Sequence, residues 1–213
     1  MNRSELRSRL RLVVITDEHL AAPLGVVRVV ERALQAGLPA IQLRAKDATA
    51  RELTAMARSL LPAVHAAGAL FFVNDRLDVA LATGADGVHL GPDDLRVKDV
   101  RSTVPADFIV GYSTDDPDEA AKAEADGTDY LGSGPVYATT SKSDPGEVIG
   151  LSGLQRVVDA VSIPVVGIGG ITPERAAAVA GAGASGCAVI GAVMGAPDPG
   201  QAVRRLLKPF ETS

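Results

Sequence analysis

The chain has 213 residues, a formal net charge of −5, 46% hydrophobic residues, and only 3% aromatic residues with no Trp. So much apolar content excludes disorder and predicts one sizeable core, since α/β barrels commonly run from about 200 residues upward. The acidic balance and scarce aromatics argue against nucleic-acid partners and make any local cluster of Lys and Arg informative.

In chain order, residues 1–10 form a short basic leader, with Arg3–Arg11 reading as helical. Short apolar runs rich in β-branched residues then recur at Leu12–Thr16, Ala40–Lys46, Leu70–Asn74, Gly87–Leu90, Phe108–Tyr112, Tyr130–Val136, Pro164–Gly167 and Cys187–Val193. Helical patterns separate them near 23–37, 49–67, 76–83, 95–103, 117–126, 151–160, 173–181 and 198–209. Strict β-then-α alternation with near-continuous apolar strands predicts a parallel sheet buried on both faces. Eight such units predict a closed (β/α)8 TIM barrel, and residues 1–213 read as that single domain. A doubly wound sheet needs a glycine-rich turn after the first strand, and Thr16-Asp17-Glu18-His19 is not one.

The single cysteine, Cys187, forms no internal disulfide and fits a reducing compartment. No apolar run of signal-peptide length follows the basic leader, and none approaches the ~20 residues that span a bilayer. The expectation is a cytoplasmic protein without membrane or nucleic-acid partners. The oligomeric state stays open, a homo-oligomer included.

In such a barrel the chemistry sits at the C-terminal strand ends, where polar, charged and glycine residues concentrate here. In the second strand Gln42, Arg44 and Lys46 stand two residues apart and so share one face. The row reads either as a solvated edge or as an anion site, and a closed barrel has no edge. Joined by Lys142 of the loop after the sixth strand, it suits a diphosphate, with Arg forking onto phosphate oxygens and Lys acting as a point charge. Asn74-Asp75 and Asp93-Asp94 end neighbouring strands. Carboxylates beside a cationic row suit Mg²⁺ held by one or two carboxylates plus phosphate oxygens and water. Asp93 reads as the N-cap of the helix near Leu95. For Asp17, Asp75 and Asp94 the metal and ion-pair readings both stand. In Gly167-Ile168-Gly169-Gly170-Ile171-Thr172-Pro173-Glu174, two glycines leave the seventh strand, with Thr172 as N-cap and Pro173 as first helical residue. Together with Gly191 they offer bare backbone at the usual phosphate cradle of this barrel, although tight packing also calls for glycine. Two anion sites therefore face one mouth, only one with metal-type carboxylates, which suggests two phosphorylated small-molecule substrates. Of the three histidines, His19 and His65 read as surface residues and His89 as a satisfied core histidine.

These motifs together resemble the thiamine-phosphate synthase family over nearly the whole chain. The carrying pieces are Ile15-Thr16-Asp17, Gln42-x-Arg44-x-Lys46, Asn74-Asp75, Asp86 through Asp94, Gly111-Tyr112-Ser113-Thr114, Gly134 through Lys142 and Gly167 through Ile171. The resemblance implies a transferase that joins 4-amino-2-methyl-5-hydroxymethylpyrimidine diphosphate to thiazole phosphate (or its carboxylated precursor), releasing pyrophosphate and forming thiamine phosphate. It implies that Gln42, Leu43, Arg44, Ala45, Lys46, Asn74, Ser113 and Lys142 hold the pyrimidine diphosphate, with Arg44, Lys46, Ser113 and Lys142 catalytic. It further implies that Asp75 and Asp94 hold one Mg²⁺, and that Thr139, Thr140, Ser141, Gly170, Ile190 and Gly191 hold the thiazole phosphate. The implied reaction is dissociative, with pyrophosphate leaving before the thiazole nitrogen attacks.

Three positions depart from the family pattern: Ser141 where Thr is more frequent, Gly191 where Ser is usual, and Asp115 where His is common. The nearest rival is a thiazole tautomerase of the same fold. That isomerase uses a His at the position of Asp115 and lacks the second metal carboxylate, and both features favour the synthase. A Schiff-base aldolase using Lys46 or Lys142, and a non-catalytic binding relative, fit the pattern less well.

Overall fold

The computed structural model describes residues 3–22, 24–139 and 146–211. Eight parallel strands close on themselves in sequential order, as the alternation predicts. They are β1 (Leu12–Ile15), β2 (Ala40–Leu43), β3 (Leu70–Asn74), β4 (Gly87–Leu90), β5 (Ile109–Ser113), β6 (Tyr130–Ser133), β7 (Val165–Ile168) and β8 (Gly186–Val189). Their residues are buried nearly throughout because helices cover the outer face and side chains fill the interior. Sequence chemistry fixes several helices directly. Thr49 and Glu52 form a reciprocal capping box on Ala50–Ala66. Asp116 and Asp198 cap Pro117–Ala125 and Pro199–Leu207, each with proline in the first turn.

Among the boundaries that differ from the sequence reading, four have a visible cause. β2 ends at Leu43 rather than Lys46, because the Arg44 amide donates to the Thr16 hydroxyl (2.9 Å) instead of a strand carbonyl. β6 ends at Ser133, where Pro135 brings no N–H for the ladder, and Val136 N–H donates across to the Ile168 carbonyl at 2.8 Å. β8 stops at Val189, and the apolar residues after it form a four-residue helix, Gly191–Met194, that buries Val193 and Met194. The helix placed at 173–181 spans Ala176–Gly181, so neither Thr172 nor Pro173 has its assigned place, and the Thr172 hydroxyl bonds Glu174.

The first helix, Arg3–Arg9, runs across the strand starts. Leu6 and Leu10 are buried, and Arg7 Nη1 donates to Ser185 Oγ at 2.7 Å. A Cβ on Gly186 would lie 1.9 Å from the Leu10 carbonyl oxygen, so only glycine lets this segment cross the start of β8. Among the described residues no helix is long and apolar enough to cross a membrane. Because Leu10 is fully enclosed, Leu10→Ala is expected to cost roughly 3 kcal/mol, lowering Tm by about 5–10 °C in a thermal melt. An unchanged Tm would show that the segment is no part of the core.

Candidate active site

The parallel register decides which residues look into the barrel. Gln42 pairs with Phe72, Asn74 with His89, His89 with Gly111, Gly111 with Tyr130, and Ser113 with Gly132. These positions point inward, and above them a cavity of about 370 Å³ opens at the C-terminal strand ends, lined by Gln42, Arg44, Lys46, Asn74, Asp75, Ser113 and their neighbours. These six of the side chains that the sequence placed on one rim are thus gathered around one space, whereas Asp94 lines a smaller hollow beside it. Leu43 faces away into the helix layer, fully buried, so only its backbone can reach the mouth. Ala45 likewise turns to a hollow on the outer side, with Asp17 and Met56.

The cationic end of the row is held by a residue to which the sequence reading gave no role. The Thr16 hydroxyl donates to the Arg44 carbonyl (3.1 Å) and accepts from the Arg44 amide (2.9 Å), extending the β1–β2 pairing by one side chain. Among the described residues, neither Arg44 nor Lys46 has a carboxylate within ion-pair distance. Two unpaired cations at one mouth call for an anion.

Beside them stands the opposite arrangement. Asp75 has φ 62°, an uncommon conformation outside glycine, at the centre of a three-residue turn closed by Arg76 N–H to the Asn74 carbonyl (2.7 Å). The Asp75 amide donates to the His89 carbonyl at 2.8 Å, which ties the turn to β4. The turn brings the Asp75 carboxyl within hydrogen-bonding reach of Asp94. Asp94 is itself fixed by its Oδ2, which accepts from Gly91 N–H at 2.6 Å. Burial, and then the Asp94 carboxylate, push the Asp75 carboxyl up to about 6, against the downward pull of Lys46 and Arg44. Two like charges held this close are the arrangement a hard cation completes. No group of three or more His, Cys, Asp or Glu is gathered for a metal among the described residues. Such an ion would therefore draw its remaining ligands from phosphate oxygens and water, as Mg²⁺ commonly does. The other two carboxylates have different placements. Asp17 caps the helix Glu18–Ala21, accepting from Leu20 N–H at 2.9 Å, whereas Asp93 is exposed and caps nothing, since the next helix starts at Val97 with Arg96 ahead of it.

Beneath the charged rim lies a buried polar chain. The Gln42 amide bonds the Tyr130 hydroxyl. Tyr130 Oη lies 2.9 Å from His89 Nδ1, and His89 Nε2 lies 2.8 Å from Ser113 Oγ. His89 is thus the satisfied core histidine that the sequence suggested. Glycine makes the room: a Cβ on Gly111 would sit 2.3 Å from the Tyr130 ring, and one on Gly132 would sit 3.2 Å from the imidazole. Tyr130 escaped the sequence reading because one tyrosine in an apolar run carries no signal there. Two inward-facing glycines on adjacent strands, Gly111 paired with Tyr130 and Gly132 with Ser113, were the available clue to large side chains beside them.

A second hollow of about 420 Å³ adjoins the first, the two sharing Ile168 and Ala188. Thr139, Gly170, Ile190 and Gly191 line it, with Arg175 at its edge. Packing demands both glycines after β7. At Gly169 (φ 95°) a Cβ would meet Pro135 at 2.5 Å, and at Gly170 (φ 61°) the Ala138 carbonyl at 2.6 Å. Arg175 lies 4.6 Å above the Tyr137 ring and donates to the Gly170 carbonyl at 2.7 Å, joining the loops after β6 and β7. Thr140, Ser141 and Lys142 lie outside the described residues.

A family model described as thiamine monophosphate synthase matches residues 12–193. The chain is 48% identical to a thiamine-phosphate synthase of Moorella thermoacetica over 195 residues, covering 92% of this chain and 93% of that protein. It is 46% identical over 206 residues to the one of Pyrococcus furiosus, with 97% of each covered. A solved thiamine phosphate pyrophosphorylase from Pyrococcus furiosus superposes with a TM-score of 0.87 at 45% identity, covering 97% of this chain and 98% of that one.

The carboxylate pair generates a stability prediction for the metal-free protein. A carboxyl raised to about 6 favours the fold while protonated and loses that share as pH rises through the window from the unfolded value of about 4 to about 6. Asp75→Asn keeps a residue that tolerates positive φ and removes the repulsion. With solvent screening of a half-buried group, its advantage is about 1 kcal/mol, or roughly 2–4 °C in Tm, opening between about pH 4 and pH 6 and constant above. A variant less stable than the parent at pH 7 in chelator would contradict this account of the pair.

Proposed function

The chain belongs to the thiamine monophosphate synthase family and is an enzyme of thiamine biosynthesis, and from that premise we propose how its own residues divide the work. The substrates are 4-amino-2-methyl-5-hydroxymethylpyrimidine diphosphate and thiazole phosphate or its carboxylated precursor. One observation carries the assignment: Arg44 and Lys46, with no carboxylate at ion-pair distance among the described residues, share a cavity with the Asp75 carboxyl, and Asp94 lies within hydrogen-bonding reach of that carboxyl. A diphosphate with one Mg²⁺ satisfies both halves at once.

In this reading Arg44, Lys46 and Lys142 bind the diphosphate, Ser113 and Asn74 hydrogen-bond it, and Gln42 contacts the pyrimidine. Asp75 and Asp94 would hold Mg²⁺. Bound there, Mg²⁺ would supply neutralisation of charge on the leaving pyrophosphate. The bond between the pyrimidinylmethyl carbon and the bridging oxygen breaks, and the pyrophosphate departs with the electron pair. The thiazole nitrogen lone pair then closes the new C–N bond. With thiazole phosphate no proton has to move; with the carboxylated precursor CO₂ also leaves and the carbon that carried it takes a proton from water, so in either case a site rich in fixed charge and without a nucleophile–base pair suits the C–N bond exchange. Thr139, Gly170, Ile190 and Gly191 of the adjoining hollow, together with Thr140 and Ser141, would hold the thiazole phosphate, so that the two reactants meet across Ile168 and Ala188. The buried, unpaired Cys187 accords with a cytoplasmic setting. Asp115 occupies the position of the tautomerase histidine, which disfavours the isomerase.

The direct test mixes both substrates with Mg²⁺ and follows pyrophosphate and thiamine phosphate by mass spectrometry. Both products are expected, and turnover in chelator would contradict the metal assignment. Arg44→Ala and Lys142→Ala are each expected to lower kcat by about 10²–10³ while thiazole phosphate binding survives in calorimetry. Equal loss of both properties would contradict the division into two subsites.

A further inference from the structure

With a neutral imidazole at His89, the buried chain from Gln42 to Ser113 has two self-consistent directions, and the charges at its ends choose between them. Tyr130 Oη sits between the Gln42 amide and His89 Nδ1, and burial raises its pKa, so it is a neutral hydroxyl with one proton to give. If the Gln42 NH₂ donates to Tyr130, then Tyr130 donates to Nδ1, the ring carries its proton on Nε2 and donates to Ser113, and the Ser113 proton is left for the cavity. In the reverse order Ser113 spends its proton on the imidazole, and Gln42 accepts from Tyr130. A neutral imidazole has one donor and one acceptor nitrogen, so no mixed order satisfies all three bonds.

The two ends agree. At the Gln42 end the forward order leaves the amide carbonyl oxygen toward the cavity that holds Arg44 and Lys46, and the reverse order would turn NH₂ toward those cations. At the Ser113 end the forward order presents an O–H to an anion, whereas the reverse order presents only lone pairs. We infer that His89 is a positioning residue: held as the Nε2–H tautomer by Tyr130 and Gln42, it makes Ser113 an obligate hydrogen-bond donor to the departing diphosphate. The Ser113 half of this rests on the diphosphate assignment proposed above; the tautomer does not. Gly111 and Gly132 belong to the same device, since a side chain at either would displace the imidazole or the phenol.

The test uses the full chain labelled with ¹⁵N-histidine, in which only three ring systems appear. A His89→Gln variant identifies the His89 signals. Two-bond ¹H–¹⁵N spectra at neutral pH are expected to show His89 with protonated Nε2 and bare Nδ1. Tyr130→Phe, which keeps the ring and its packing, should release the constraint and give mixed tautomers. A wild-type ring protonated on Nδ1, or a Tyr130→Phe ring unchanged, overturns the inference.

In the kinetic arm, Ser113→Ala and His89→Leu each lower kcat by about 10- to 100-fold with the KM for thiazole phosphate unchanged. The double variant is no worse than the poorer single one, and His89→Gln, whose amide nitrogen can replace Nε2, recovers most of the rate. Multiplicative losses, or no recovery with Gln, overturn the positioning role while leaving the proposed function standing. Failure of the wild-type chain to form thiamine phosphate would instead overturn that function, and the tautomer would still be read from the spectra.

Discussion

Asp75 and Asp94 are held within hydrogen-bonding reach of each other by backbone that leaves them little choice. A left-handed turn places Asp75. The Gly91 amide grips Asp94. Two carboxylates in that arrangement repel, and the folded chain bears a repulsion that a bound cation would relieve. Arg44 and Lys46 pose the complementary problem a few residues away, as cations with no carboxylate partner among the described residues. A magnesium diphosphate would resolve both, and Asp75 brings the acidic half to the cavity that Arg44 and Lys46 line. Thr16 fixes the Arg44 backbone from both sides.

Closure of the barrel makes the arrangement possible. With no sheet edge, an inward strand residue has only the cavity or the opposite wall to face. Small residues set how much room is left. Gly111 and Gly132 open space for Tyr130 and His89, Gly169 and Gly170 let the loop after β7 lie against Pro135 and Ala138, and Gly186 admits the leader beneath β8. The glycines after β7 show that packing and ligand space are one requirement here, since the bare backbone that packs against the neighbouring loop also lines the second hollow.

The barrel was legible because eight apolar runs alternate with helical patterns, and no open sheet accounts for that rhythm. The alternate spacing of Gln42, Arg44 and Lys46 gave their common orientation, although the strand itself ends at Leu43 and a side chain takes over the pairing. Boundaries misled where apolar residues continued past a strand, as at Val189, or where Pro135 ended a ladder that hydrophobicity alone would extend. Asp93 looked like a cap because Asp is a good one, but the helix begins too late for it to reach. Asp17, weighed as a metal or ion-pair residue, proved to be the cap. Contacts across the barrel were the least legible: nothing in one chain's linear order ties Tyr130 to His89, 41 positions away on a strand that is not its neighbour.

The central claim is that the carboxylate pair and the cationic row act as one receptor for a metal and a diphosphate. Calorimetric titration of inorganic pyrophosphate into the metal-free protein, with and without Mg²⁺, and again with Asp75→Asn, tests it most directly. Mg²⁺ and pyrophosphate should each tighten binding of the other by 10-fold or more, beyond their association in solution, and Asp75→Asn should abolish that coupling while leaving metal-free pyrophosphate binding on Arg44 and Lys46. Equal pyrophosphate affinity with and without Mg²⁺ in the unaltered protein would contradict the account.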